Sequence, residues 1–303
     1  MLPIDKPTTM HSPRHRGLFV TGTDTGVGKT MIACLIASAW RARGLDVGVM
    51  KPIETGDAAM PHGIFDADGW LLRCAASSRE PMAAITPWRY AEPLAPLACA
   101  RSSGIGLDRT QLLDAITAMA QRYQCVVVEG VGGALVPLGK DWFVADLMAE
   151  VGLAALVVGR AGLGTINHML LTIEALQRRS IAIAGVVLNG ARGELAEQGN
   201  PALLQELGSG VPLWGVVPHL SDWCADVCGA KALQQASAAW STGFKVSDAA
   251  RHWHEARATA AARWAAWATR YLSGLPDQDG LAGEGSSGQV PPAAVISSRR
   301  RPH

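Results

Sequence analysis

A glycine-rich run that leaves an apolar strand and enters a helical pattern constrains this chain more than any other feature. It reads Gly22-Thr23-Asp24-Thr25-Gly26-Val27-Gly28-Lys29-Thr30, inside GLFVTGTDTGVGKT at residues 17–30. Leu18, Phe19 and Val20 supply the strand, and MIACLIASAW (31–40) supplies the helix. Glycines in such a loop let backbone N–H groups converge on phosphate oxygens, and the helix that follows points its positive end at the anion. Lys29 reaches β- and γ-phosphates from this position, and the Thr30 hydroxyl can ligate Mg²⁺. The stretch predicts a phosphate cradle for a nucleotide.

The composition narrows the partners. With 303 residues, of which 49% are hydrophobic and 17% charged, the chain can bury a full core in one large domain, or in one domain plus an appendage. A formal net charge of +1 gives no long-range field for nucleic acid or an anionic membrane, so a small molecule is the expected partner. The basic run at 299–301 is local. Cysteines 34, 74, 99, 125, 224 and 228 lack zinc-type pairing, and Cys34 and Cys125 fall inside apolar helix and strand patterns. Reduced, buried thiols in the cytoplasm are the simpler account, with Cys224–x3–Cys228 as the one pair resembling metal ligands. The start of the chain reads as no secretory leader, and no apolar run approaches the ~18 residues of a membrane span.

Along the chain, residues 1–16 read as a flexible leader. Short apolar runs then alternate with longer helical patterns: VGVMKP (47–52), CVVVEG (125–130), AALVVG (154–159), IAIAGVVLNG (181–190) and LWGVVP (213–218). Runs this continuous and β-branched suit parallel strands covered on both sides. The expected fold is α/β and P-loop NTPase-like, a mostly parallel sheet with helices on both faces, spanning residues 17–224. A helical appendage at 225–272 and a disordered tail at 273–303 are expected beyond it. Five of the ten tryptophans lie between 223 and 267, and Trp253, Ala260, Trp264, Trp267 and Tyr271 repeat at helical spacing. That helix packs on the body or a partner subunit, or it lies on a membrane surface. Beyond Ser273, Gly, Ser, Pro and Gln dominate without periodicity.

In parallel sheets ligands gather at the C-terminal strand ends, so residues just after each run carry the functional reading. The second run ends at Lys51 and continues Pro52-Ile53-Glu54-Thr55-Gly56, placing an ammonium and a hydroxyl beside the phosphate loop. A second lysine there stabilises charge that builds on a transferring phosphoryl group. The third run ends in Glu129, followed by Gly130-Val131-Gly132-Gly133, which has the form of a Walker B element. Asp68 is a second acidic candidate, although Asp beside Gly is also ordinary loop and capping chemistry. After the fourth run comes Arg160-Ala161-Gly162-Leu163-Gly164-Thr165-Ile166-Asn167-His168, with Thr165 as the expected N-cap of a helix continuing to about Arg179. Its free N–H groups form a second anion site, and His168 reads as structural. The fifth run ends at Leu188-Asn189-Gly190, where the amide can read an adenine edge.

Taken together, GTDTGVGKT, KPIETG, VVVEGVGGALVPL, GLGTINHMLLT, VVLNG and GVVP resemble the dethiobiotin synthetases, ATP-dependent ligases of biotin synthesis. The likeness runs from about Gly17 to Pro218, and PWRYAEPLAP (87–96) resembles the family's Pro/aromatic segment. The resemblance implies that CO₂ is captured on one amine of 7,8-diaminopelargonic acid as a carbamate and that ATP phosphorylates this carbamate. The second amine then closes the ureido ring, releasing ADP and phosphate. It implies ATP binding by Gly22 through Thr30, Asn189 and Pro218, with Asn189 on adenine. Thr30, Asp68 and Glu129 would hold Mg²⁺, and Lys51 would bridge carbamate and γ-phosphate, with Lys29 the second catalytic cation. Thr55 would bind carbamate or diamine where the family often has Ser. Gly164, Thr165, Ile166 and Asn167 would receive the substrate carboxylate, contributed by the other subunit of a homodimer. Gly26 stands where relatives often carry an acidic side chain, and the chain beyond about 225 is unlike the family's short end.

Two other P-loop classes share part of this pattern. A MinD/ParA-like ATPase switch with a membrane-surface C-terminal helix fits the Trp/Arg segment, but Asp24 occupies the place of that class's signature lysine. KPIETG has no purpose in a switch. An amidotransferase-linked cobyrinate synthetase needs more length and a Cys/His glutaminase constellation.

Overall fold

A computed structural model describes residues 15–56 and 67–220. The leader up to residue 14, the Cys224–x3–Cys228 pair and the divisions at 225–272 and 273–303 lie outside the described residues. The chain begins with β1 (Gly17–Gly22), α1 (Lys29–Ala42), β2 (Val47–Met50) and β3 (Ile53–Thr55). It continues through α2 (Asp68–Ala75), α3 (Met82–Ile85), β4 (Trp88–Tyr90), α4 (Pro96–Ser103), α5 (Arg109–Arg122) and β5 (Cys125–Glu129). Then come β6 (Pro137–Gly139), β7 (Trp142–Phe143), α6 (Val144–Val151), β8 (Ala154–Arg160) and α7 (Thr165–Gln177). The described chain closes with β9 (Ile183–Ala191), α8 (Leu195–Leu207) and β10 (Leu213–Pro218).

All six apolar runs become strands of one parallel sheet in the order β10-β9-β8-β1-β5-β2. Strand side chains alternate between faces, and here both faces are dry, which is why the runs contain no polar alternation. Leu18, Val20 and Val127 pack with Ile32, Leu35, Ile36 and Trp40 of α1 and with Leu71 and Leu72 of α2. Phe19, Val126 and Val128 point the other way, onto Leu112, Ile116 and Met119 of α5, Leu147 and Met148 of α6, and Met169 and Ile173 of α7. The described cysteines, 34, 74, 99 and 125, are buried and form no disulfide among the described residues. Burial pushes the Cys125 thiol up to about 12, so it stays protonated and inert.

Two features depart from the sequence reading. The second run stops as a strand at Met50, and the chain restarts as β3, which pairs in parallel with β4. Lys51 N–H donates to Ile85 O at 2.9 Å and Trp88 N–H to Pro52 O at 3.2 Å, so the Lys51-Pro52 break is pinned rather than loose. Second, the N-cap of α7 is Gly164, at φ 89°, and Thr165 is the first helical residue. A left-handed cap residue turns the chain without using a side chain, which leaves Thr165 to pack inward at 3% exposure.

Leu112 is fully buried at the centre of the α5 face. Leu112→Ala is expected to lower stability by about 2–5 kcal/mol, seen as a shifted denaturant midpoint with unchanged slope.

Candidate active site

Parallel pairing sends every strand of the main sheet out of the same edge, so β1 delivers Gly22, β5 Glu129, β8 Arg160, β9 Asn189 and β10 Pro218 there, with Lys51 just past β2. The glycine loop crosses this edge. Thr23 N–H bonds Val158 O at 2.9 Å, and Gly28 caps α1 at φ 95°. A Cβ on Gly28 would run into Asn189 Nδ2, which itself donates to Val27 O at 2.9 Å. Asn189 is thus stitched to the back of the loop, and its Oδ1 is buried with no partner among the described residues. Gly26, at φ 72°, has nothing described within 4 Å of where a Cβ would stand.

Three residues read from the sequence as metal ligands meet at α1. Thr30 Oγ1 lies 2.8 Å from Asp68 Oδ1 and 2.8 Å from Glu129 Oε1. Lys51 Nζ bridges the same carboxylates, 2.8 Å from Asp68 Oδ2 and 2.6 Å from Glu129 Oε1, and donates to Gly130 O at 3.3 Å. Burial opposes the charge on Lys51, but Asp68 and Glu129 outweigh it and hold the ammonium well above its ordinary value. Burial also opposes ionisation of Asp68, yet Lys51 prevails and keeps that carboxyl below the usual range. For Glu129, fully buried, desolvation wins and the pKa is raised. Lys29 points back at its own loop, donating to Asp24 O at 3.0 Å, and burial plus the nearby Lys51 lower it to about 8.

A divalent cation fits this donor set. Thr30, Asp68 and Glu129 offer hard oxygens, and Glu129 Oε2 is buried without a partner among the described residues. Among the described residues no group of three His, Cys, Asp or Glu forms a metal cage. Mg²⁺ commonly needs none, being held by one or two carboxylates together with substrate phosphates and water.

A cavity of about 260 Å³ opens beside these groups, bounded by Lys29, Thr30, Lys51, Thr55, Asp68 and Glu129 among others. Thr25 and Gly26 line it from the loop. The α7 start does not line it. Thr165 Oγ1 would lie 3.1 Å from a Cβ on Gly159, beside Thr23, while Leu163, two residues before the helix, is 92% exposed. Pro218 pairs with Ala191 at the sheet's outer strand.

Three neighbours of the site had no role in the sequence reading. Glu54, 2% exposed, lines the cavity and accepts Asp68 N–H at 2.5 Å; burial, then the Asp68 carboxylate, raise it to about 7. Arg160 reaches Asp24 Oδ2 at 3.5 Å and Thr25 O at 3.3 Å, tying β8 to the loop tip. Asn200 of α8 donates to Ala161 O and Gly162 O at 2.7 and 3.1 Å, anchoring the turn before α7. A carboxylate between Ile53 and Thr55 in a buried strand was the available signal for Glu54. The other two contacts join residues far apart in sequence and leave none.

Comparison with known proteins extends the picture. The family described as an AAA domain matches residues 16–225. An ATP-dependent dethiobiotin synthetase of Anaeromyxobacter dehalogenans is 52% identical over 174 residues, covering 57% of this chain and 76% of that protein. One from Thermodesulfovibrio yellowstonii is 40% identical over 228 residues, covering 72% of this chain and 95% of that protein. Among solved structures, the cell division ATPase MinD of Pyrococcus furiosus matches with TM-score 0.44 and 18% identity, over 68% of this chain and 84% of that one.

Gly28 combines a left-handed backbone with the Asn189 approach. Gly28→Ala is expected to destabilise the fold by more than about 1 kcal/mol and to weaken ATP binding, checked by denaturation and nucleotide titration.

Proposed function

The chain belongs to the dethiobiotin synthetase family of ATP-dependent ligases, and from that premise we propose that it converts 7,8-diaminopelargonic acid, CO₂ and ATP to dethiobiotin, ADP and phosphate. The observation that carries this reading is the meeting of Lys51, Thr30, Asp68 and Glu129 at the rim of the glycine loop, beside a cavity lined by Thr55. A switch ATPase has no use for a buried ammonium fixed there by two carboxylates. An enzyme that must bring one anion against another does.

In this reading CO₂ adds to one amine of the diamine, and an oxygen of the resulting carbamate takes the terminal phosphoryl of ATP. The second amine then attacks the carbamoyl carbon, the C–O bond to the phosphoryl group breaks, and phosphate leaves with that oxygen. Lys51 stands between carbamate and γ-phosphoryl and offsets the repulsion of two anions. Lys29 turns from Asp24 O to the phosphates, whose charge restores the proton affinity that burial lowers. Thr30, Asp68 and Glu129 would hold Mg²⁺, which would neutralise charge on the phosphate oxygens. The Gly22–Thr30 backbone cradles the phosphates, Asn189, whose buried Oδ1 has no partner among the described residues, turns that oxygen to the adenine amino group, and Pro218 borders the base. Thr55 orients the carbamate or the diamine. Holding the reactants in line supplies on the order of 7–11 kcal/mol without any covalent intermediate on the protein.

The substrate carboxylate goes to the helix start at Gly164, Thr165, Ile166 and Asn167, supplied across a homodimer. Residues 17–224 carry the reaction, and 225–272 and 273–303 are additions to it. No helix among the described residues is long and apolar enough to cross a membrane. The cytoplasmic location proposed here rests instead on the chain's membership of a family of biosynthetic ligases.

Purified protein incubated with diaminopelargonate, bicarbonate, Mg²⁺ and ATP is expected to yield dethiobiotin by mass; phosphate release independent of the diamine would contradict the assignment. Lys51→Ala is expected to abolish ring closure while ATP still binds in a calorimetric titration. Loss of ATP binding with normal residual turnover would remove Lys51 from its role.

A further inference from the structure

Among the described residues, Glu54 is the carboxylate of the site bonded to neither the Thr30 hydroxyl nor the Lys51 ammonium. Its Oε1 accepts the backbone N–H of Asp68 at 2.5 Å, while Oε2 is buried with no partner. Asp68 is the first residue of α2, and the N-cap Ala67 has no side-chain oxygen to offer. The free N–H groups of a helix start need acceptors, so the Glu54 side-chain oxygen provides from 14 residues upstream the cap that the local sequence lacks.

Glu54 is itself immobilised. It sits in β3 opposite Arg89, between the Ile53–Trp88 and Thr55–Tyr90 pairs, and Gly56 N–H closes the strand on Tyr90 O at 3.0 Å. The side chain of Asp68, whose backbone Glu54 grips, reaches Thr30 at 2.8 Å and Lys51 at 2.8 Å. The tie therefore connects a rigid strand to the one candidate ligand that belongs to neither α1 nor the main sheet.

We propose that Glu54 is a positioning residue for the divalent cation, fixing the Asp68 backbone so that its carboxylate stands beside Thr30 and Glu129. The inference rests on the metal assignment proposed above, and its test requires no turnover. Mn²⁺, a paramagnetic substitute for Mg²⁺, is titrated into the full chain with ADP bound and followed by electron paramagnetic resonance. Glu54→Ala is expected to weaken Mn²⁺ about 10–100-fold, the usual effect of losing a partner behind a ligand. Glu54→Gln retains an oxygen for the Asp68 N–H and is expected to stay within about threefold of the parent. ADP affinity without metal is expected to be equal in all three.

Unchanged Mn²⁺ affinity in Glu54→Ala overturns the proposal. So does an equal loss in Glu54→Gln, which would make charge rather than the bond to Asp68 the cause, or a matching loss of metal-free ADP affinity. If Glu54→Ala does not fold, Glu54→Asp, one methylene too short for the bond, takes its place with the same expectation. Glu54-dependent Mn²⁺ binding without dethiobiotin formation would sink the proposed reaction and leave this inference standing. Dethiobiotin formation with full Mn²⁺ affinity in Glu54→Ala would do the reverse.

Discussion

The site is organised around one ammonium group held between two carboxylates. Lys51, 4% exposed, has given up its water to sit 2.8 Å from Asp68 and 2.6 Å from Glu129. Burying a lysine charge is prohibitive unless anions replace the lost hydration, and here they more than replace it. The consequence runs both ways. Lys51 holds the Asp68 carboxyl below its usual range against burial, whereas burial raises that of the fully buried Glu129 despite the ammonium beside it. Nucleotide and a divalent ion would enter a cluster whose charged groups are already paired with one another, so their arrival exchanges partners.

Nothing in that cluster is local in sequence. Thr30, Lys51, Asp68 and Glu129 come from α1, the break after β2, the start of α2 and the end of β5. Parallel pairing of β1 with β5, and of β5 with β2, brings three of them to one edge. The packing of α2 on the α1 face of the sheet carries the fourth. Burial on both faces sets these positions tightly, since any slip of a strand would move a packed side chain off its neighbours. Asn189, stitched to Val27, extends the same logic from β9 to the nucleotide loop.

Much of this was legible in the residues themselves. The glycine loop, the six apolar runs and the polar residue ending several of them fixed an α/β sheet with its ligand edge, because continuous apolar strands have few other ways to be covered. Lys51, Thr30, Asp68 and Glu129 were all singled out, and they lie together. What escaped has a common cause. The β3–β4 pair is three residues a side and joins segments some thirty residues apart, so no periodicity announces it. Thr165 reads as a cap by residue type, but the positive φ available to Gly164 takes the turn one residue earlier. Glu54 offered one signal, a carboxylate in a buried strand, but its partner is a backbone N–H, and backbone groups carry no sequence signature. The roles of Thr55, Asn189, Pro218 and the Gly164–Asn167 turn follow from family resemblance and stand as proposals.

If Lys51 brings a carbamate oxygen to the γ-phosphoryl, that oxygen becomes part of the phosphate released, and the isotope content of the phosphate reports it. With ¹⁸O-labelled bicarbonate and CO₂, diaminopelargonate, Mg²⁺ and unlabelled ATP, the account predicts one ¹⁸O in each phosphate formed, read by mass spectrometry early in turnover. Phosphate free of label would mean that water, not the carbamate, accepts the phosphoryl group, and the chemistry built on Lys51 would be wrong.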